Sequence, residues 1–105
     1  MIKAEFDDFI HAPTRLSIVS LLAAADWVEF KFLRQSLDLS DSALSKQLTA
    51  LEQAGYIDIK KDFVLKRPRT RARLTHAGRG AFLSHVAALE RILSASRAQP
   101  GAAIR

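Results

Sequence analysis

A regularly spaced basic segment lies between Lys66 and Leu74, where the sequence reads KRPRTRARL. Its arginines, Arg69, Arg71 and Arg73, occupy every second position. Side chains two apart on a β-strand share a face, so this spacing predicts a strand with one guanidinium face. Seven of the 16 Lys and Arg residues fall between positions 60 and 73. Such a cluster suits a polyanionic partner, whereas a solvated tail would not need the alternation.

The other reactive side-chain types form no recognisable catalytic or metal-binding pattern. His11, His76 and His85 are not spaced at i, i+3 or i+4, and the chain has no cysteine. We therefore expect the histidines at the surface or at helix caps, with no metal or other cofactor. Asp7 and Asp8 are adjacent and diverge on a helix, and no serine belongs to a nucleophile motif. An enzyme is disfavoured on these grounds.

Length and composition limit the classes of protein further. The 105 residues, 49% hydrophobic and 26% charged, fit a single globular domain with a net charge of +5. Early acids in MIKAEFDDFI argue against a signal peptide, and the apolar run at 18–25 is too short to span a bilayer. We expect a cytoplasmic, nucleoid-associated protein with one domain at 1–96 and a flexible tail at 97–105.

Hydrophobic spacing predicts the elements of the first half. A helix is expected over 13–25 with Pro13 in its first turn, followed by a short strand in DWVEF and a short helix in KFLRQSLDL. The segment LSDSALSKQLTALEQAGYI predicts a helix over 41–54, with Ser40 as its N-cap and Gly55 just after its end.

The second half is predicted to be two strands and a long helix. The first strand begins at Tyr56, Ile57 and Ile59, and residues 62–68 interrupt it. Thr75 is the expected N-cap of the last helix. In the return strand the residues that alternate with the arginines face the core: Thr70, Ala72 and Leu74.

This order predicts an α+β, mostly helical fold, a winged helix-turn-helix with a two-stranded β-wing and a long C-terminal dimerisation helix. The turn LDLS joins two helices, and the second helix of such a pair enters the DNA major groove. A stripe of Leu44, Leu48 and Leu51 buries one side of it. The opposite side presents groups that suit base edges and phosphates: Ser42, Ala43, Ser45, Lys46, Gln47 and Thr49.

Three segments resemble the winged-helix transcriptional regulators close to the MarR and ArsR groups. HAPTRLSIVSLL resembles their first core helix, LDLSDSALSKQLTALEQAGYI their turn, recognition helix and exit strand, and RPRTRARLTHAGR their wing and the start of the final helix. The resemblance covers about residues 9–93 and implies a recognition helix in the major groove and a wing on the backbone or minor groove. For the wing it implicates Lys66, Arg67, Arg69 and Arg71. Arg73 lies near the base of the strand, where pairing with an acid is the alternative to contacting DNA.

Apolar positions near both ends predict a homodimer. Phe82, Val86, Leu89 and Leu93 follow the 4-3-4 spacing of a coiled-coil seam. An N-terminal helical stripe is expected to join them at the interface: Ile2, Phe6 and Phe9, with Ile10 beside them. The alternative is that the seam caps the core of a single chain.

We therefore expect a homodimeric, sequence-specific regulator of transcription, acting as a repressor on a near-palindromic operator of double-stranded DNA. Two recognition helices would lie roughly 34 Å apart, one turn of DNA. A small-molecule effector has no support in the residues, since the ArsR-type metal sites have no counterpart and the chain is shorter than full-length MarR-like proteins. The alternatives are a winged-helix protein-interaction module without sequence-specific DNA binding and, third, a small enzyme.

Overall fold

The computed structural model describes residues 4–97 and confirms the α+β winged helix-turn-helix. The elements in chain order are α1 Asp8–His11, α2 Pro13–Ala23, β1 Val28–Glu29, α3 Phe30–Leu37, α4 Asp41–Gln53, β2 Ile57–Val64, β3 Arg67–Leu74 and α5 His76–Arg97. The strands form an antiparallel sheet of order β1-β3-β2. Ile2 and most of the predicted tail lie outside the described residues.

The helix α4 forms where the sequence predicts it. The Ser40 hydroxyl accepts a hydrogen bond from the Ala43 N–H at 3.1 Å, so the N-cap is confirmed. The helix ends at a left-handed Gly55, with φ of 80°, and the Tyr56 N–H closes the last turn on a helix carbonyl at 3.0 Å. The leucine stripe lies at the centre of the core, with exposures of 0–3%: Leu44, Leu48 and Leu51. The opposite side of α4 is thereby turned outward.

The hairpin of β2 and β3 is more regular than the sequence predicts. The strands pair without a break from Ile57 opposite Leu74 to Val64 opposite Arg67, so the interruption expected over 62–68 is wrong. Pro68 lies within β3 because, next to a two-residue turn, its ring nitrogen points to the edge that β1 leaves uncovered.

The wing has two faces of different character. Ala72 and Leu74 are buried at 1% and 8% exposure, which confirms the core-facing half of the predicted alternation. β1 extends this face, because Val28 pairs with Ala72 and is buried beside it. The arginines of β3 therefore lie on the outer face of the sheet, away from the helices.

The N-terminal segment differs from the predicted helical stripe. Residues 4–7 are not helical, and Asp7 caps the short α1 through a 3.0 Å bond from the Ile10 N–H. Ile10 is fully buried and Phe9 packs against the core of its own chain, so the stripe does not form as a separate apolar surface. The Tyr56 hydroxyl donates to Asp7 at 2.7 Å, and this bond, with burial, raises the pKa of Tyr56 to about 12.

The long helix α5 packs tightly at its start and extends past the core at its end. Thr75 caps it by accepting from the Gly78 N–H at 2.9 Å, as predicted. A Cβ at position 78 would overlap the Tyr56 carbonyl oxygen, so only glycine fits there. His85 is fully buried, and the expectation that all histidines lie at the surface or at caps is wrong for it. Phe82 packs on the core, whereas Leu93 is 53% exposed.

Candidate nucleic-acid interface

The exposed face of α4 is narrower than the sequence predicts. Ala43 and Gln47, which were expected on that face, are half-buried at its flank. The Gln47 side-chain oxygen also accepts a hydrogen bond from Arg15 at 3.1 Å, which ties α4 to α2. The remaining four predicted residues are exposed and adjoin one another along the helix: Ser42, Ser45, Lys46 and Thr49. They form a short polar surface of three small hydroxyl side chains and one lysine.

The arginines on the outer face of the wing are engaged within the protein. Asp62 accepts two hydrogen bonds from Arg69, at 3.1 and 3.0 Å, and one from Arg71 at 2.9 Å. The bonds from Arg69 contribute most to holding the pKa of Asp62 below its usual value, and Arg71 adds to the effect. Asp62 begins the stretch that was expected to interrupt the strand, and it is instead the shared partner of two arginines.

Trp27 supports the same outer face at its base. The guanidinium carbon of Arg73 lies 4.4 Å from the centre of the indole ring and that of Arg71 lies 5.6 Å away, both within cation–π range. Arg73 also lies 3.5 Å from Asp58 and 3.8 Å from Asp26, in agreement with its predicted pairing with an acid.

The outer face as a whole is close to neutral. Its register places five bases and four acids there: Lys60, Arg67, Arg69, Arg71 and Arg73 with Asp26, Glu29, Asp58 and Asp62. The predicted guanidinium row exists, but in the free protein its charge is balanced by neighbouring carboxylates. It is therefore a weaker attractor of a polyanion than the sequence alone suggests.

The inner face of the wing carries a lysine that the sequence did not single out. Ile59 and Ala72 form a strand pair that packs on the core. Lys61 and Thr70 form the next pair on the same face, one step closer to the tip of the wing. Beyond the core this face borders α4 across a groove of about 260 Å³, whose lining includes Lys61, Ser45 and Thr49. Counting alternate positions from Ile59 would have placed Lys61 there.

A wider groove separates the uncovered edge of β3 from the starts of α3 and α4. It has a volume of about 1080 Å³, and its lining includes Lys31, Asp41 and Arg67. Arg34 neutralises Asp41 at 3.1 Å, which leaves the basic groups of the groove less opposed. Across residues 4–97, five cations near these grooves make no ion pair: Lys31, Lys46, Lys61, Lys66 and Arg67. The arrangement presents a polar helix face flanked by free positive charge.

Between residues 4 and 97, no group of three or more His, Asp or Glu side chains is placed to hold a metal ion. Over the same range, none of the helices combines the length and the apolar character that crossing a bilayer requires.

Comparisons with known proteins agree with this architecture. The family model for a winged helix DNA-binding domain matches residues 14–93. An uncharacterized protein of Methanocaldococcus jannaschii is 33% identical over 72 residues, which cover 69% of this chain and 78% of that protein.

Solved structures share the fold at lower identity. A transcriptional regulator homologue from Pyrococcus horikoshii superposes with a TM-score of 0.78 at 24% identity, covering 84% of this chain and 87% of that one. A putative transcriptional regulator, ytfH of Salmonella typhimurium, gives 0.68 at 22% identity, covering 87% and 86%. With the family model matching most of its length, the chain belongs to the winged helix DNA-binding domain family.

Proposed function

We propose that the protein is a homodimeric, sequence-specific regulator that represses transcription by occupying a near-palindromic operator. The observation that carries this proposal is the exposed polar surface of α4, with Lys46 on it and Lys61 across an adjoining groove. Small hydroxyls let a helix approach base edges closely, and the lysines flanking them suit phosphates. The fold places this surface beside a projecting hairpin, as a major-groove reader with a wing requires.

The contacts divide by chemistry. Ser42, Ser45 and Thr49 on α4 read base edges, and Lys46 is placed to reach either a base or a phosphate. Lys66 and Arg67 at the end of the wing bind the backbone or enter the minor groove. The residues whose side chains are partly committed within the protein make secondary contacts: Ala43, Gln47, Arg69 and Arg71.

A second copy of the chain is proposed to cover the end of α5. Ile92 and Leu93 are 55% and 53% exposed there, and Phe6, on the N-terminal segment, is 43% exposed. Val86 and Leu89 are half-buried and continue this apolar surface toward the core. Phe9 and Phe82 pack on their own core and contribute less than the sequence suggests. A two-fold dimer through α5 would present two copies of α4 to successive major grooves.

Selection from a random pool of duplex DNA tests the proposal. The parent protein should enrich one near-palindromic motif. Ser45→Ala should change the preferred bases, whereas Lys66→Ala should weaken all duplexes alike and reduce the salt slope by about one unit. Arg91→Ala, which removes a charge from exposed α5, is the matched control and should leave both properties unchanged.

The alternative is a winged-helix module that binds another protein. The pairing of Arg69 and Arg71 with Asp62 favours it, since a wing built for protein contacts needs no free guanidinium row. The two functions give opposite outcomes in the selection. Absence of any enriched motif, together with Lys66→Ala binding duplex as well as the parent does, would reject the DNA-reading proposal in favour of the module.

A further inference from the structure

The tip of the wing exposes three consecutive apolar side chains. Phe63, Val64 and Leu65, here called the apolar tip, are 74%, 42% and 92% exposed. Leu65 is the most exposed of the large hydrophobic residues in the described range. An apolar group that projects into water at the end of a hairpin contributes nothing to the core, and contiguous exposed apolar surface marks a contact site.

The backbone of the tip is also unfavourable for leucine. Leu65 and Lys66 have φ of 51° and 66°, as a two-residue type I′ turn requires. Asparagine and glycine are the residues that adopt these angles readily, and a side chain such as leucine is strained there. Leu65 therefore serves neither the turn nor the core, and strain at an exposed position accompanies function.

The charged residues around the apolar tip indicate that its partner is a polyanion. Lys66 and Arg67 follow Leu65 directly, and neither makes an ion pair within residues 4–97. The nearest acid in sequence, Asp62, is occupied by Arg69 and Arg71. An exposed apolar side chain beside unpaired cations suits a polyanion that has an apolar space between its charged groups. The minor groove of DNA is such a surface, because side chains inserted between base steps are bordered there by phosphates.

The length of the wing is suitable for that groove. Ile59 packs on the core, and the six residues from it to Leu65 span about 20 Å of strand. Half a turn of B-DNA, which separates a major groove from the adjoining minor groove, is roughly 17 Å. With α4 in a major groove, the tip reaches the next minor groove.

We propose that Leu65, with Phe63 beside it, is an apolar wedge that enters the minor groove flanking the recognition site and partly unstacks one base step. This inference rests on the proposed DNA-reading function and adds a shape-dependent component to it. TA and CA steps unstack most easily, so one of them should recur in the flank of the preferred sequence although no side chain of α4 reaches it.

The test uses the duplex that the parent protein enriches from a random pool of about 40 base pairs. 2-Aminopurine placed at each flanking position in turn reports unstacking, and dyes at the two ends report bending. The parent should increase the fluorescence at one step and bend the duplex toward the major groove by about 20–90°. Leu65→Asn should abolish both signals and weaken binding roughly tenfold while leaving the salt slope unchanged, because no charge is lost.

Two further variants serve as controls for Leu65→Asn. Asparagine suits the type I′ turn better than leucine does, so Leu65→Asn retains the hairpin. Leu65→Met retains an apolar side chain of similar size and should keep the fluorescence change. Lys66→Ala should do the reverse of Leu65→Asn, losing about one unit of salt slope while the unstacking signal persists.

Each contrary outcome has a definite meaning. Enrichment of a duplex that the parent leaves stacked and straight overturns the wedge and leaves the proposed function standing. Leu65→Asn behaving as the parent also overturns it and assigns the tip to a protein partner. Failure of the parent to enrich any duplex rejects the proposed function, and the wedge with it.

Discussion

Nδ1 of His11 lies 3.1 Å from Nε2 of His85, although the two residues are 74 positions apart in the sequence. The Asp7 N–H donates to Nδ1 of His85 at 2.9 Å, so that nitrogen carries no proton. Neutral His85 must then carry its proton on Nε2 and donate it to His11. The ring of Phe6 packs against both imidazoles, with centroids 4.7 and 4.6 Å away. Adding a proton to Nδ1 of His85 removes the hydrogen bond from Asp7, which joins the N-terminal segment to α5.

Stability should accordingly fall in mild acid. Burial, and then the neighbouring His11, lower the pKa of His85 below its usual 6.5, while Asp7 and Asp8 oppose the shift. The unfolded chain therefore takes up a proton before the folded chain does. The stabilisation that depends on neutral His85 is fully present above about pH 6.5. It is lost as the pH falls toward the folded-state pKa, by at most about 1.4 kcal/mol per pH unit. Urea unfolding at several pH values measures it.

The contribution of His85 is isolated by comparison with His85→Gln, which keeps a donor and an acceptor but does not titrate. The difference in unfolding free energy between parent and variant should change between about pH 7.5 and pH 5.5 and be constant above that range. His11→Asn, at an exposed position, removes a group that lowers the pKa of His85. It should therefore reduce the pH dependence of the unfolding free energy, with less loss of stability than His85→Gln. A difference that does not vary with pH would contradict the proposed protonation states.

The histidine pair also shows which parts of the structure the sequence could not predict. The leucine stripe of α4, the caps at Ser40 and Thr75 and the glycine at position 55 depend on neighbours within a few residues, and these were predicted correctly. The contact of His11 with His85 depends on how two distant segments pack. No local pattern contains that information.

The wing shows a second limit, which is register. Asp62 and Pro68 are poor strand residues, so the sequence places the turn around them. The observed turn at Leu65 and Lys66 lacks the Asn-Gly signature that would have identified it. Once the register is known, Asp62 lies opposite Arg69 and beside Arg71. The charge balance of the outer face, and with it the role of the arginines, follows from that pairing.

Two glycines near the start of α5 should respond oppositely to alanine. Gly78→Ala should destabilise the protein by about 1–3 kcal/mol or more, because the new methyl group overlaps the backbone at Tyr56. Gly80 faces open space in the same helix, so Gly80→Ala should stabilise it by about 0.5–1 kcal/mol. Chemical denaturation of both variants beside the parent measures the two effects. Equal effects of the two substitutions would mean that the helix start is not packed as described.

Removing the acid shared by two arginines should strengthen binding to DNA. In Asp62→Asn the side chain remains similar in size, but Arg69 and Arg71 lose their charged partner and can reach phosphates. Affinity for duplex should rise at low salt and the salt slope should steepen by about one to two units. Fluorescence anisotropy titrations across a salt series provide the measurement.

The control for this change is Asp58→Asn, which removes one of the two acids that pair with Arg73 at the base of the wing, away from the tip. It removes the same charge and should alter the salt slope less. An equal increase for both variants would indicate a general effect of net charge rather than release of the two arginines.

The exposed end of α5 should determine the oligomeric state. Leu93→Glu places a carboxylate in the apolar surface formed with Ile92, and burying that charge without a partner opposes association. The dimer dissociation constant should rise at least about tenfold in sedimentation equilibrium. Ser94→Glu adds the same charge one position along, turned about 100° around the helix, and should leave the dimer intact. Since two linked copies hold DNA more tightly than one, Leu93→Glu should also weaken binding to a palindromic duplex far more than binding to a single half-site. A parent protein that sediments as a monomer at all concentrations would instead assign this surface to another partner.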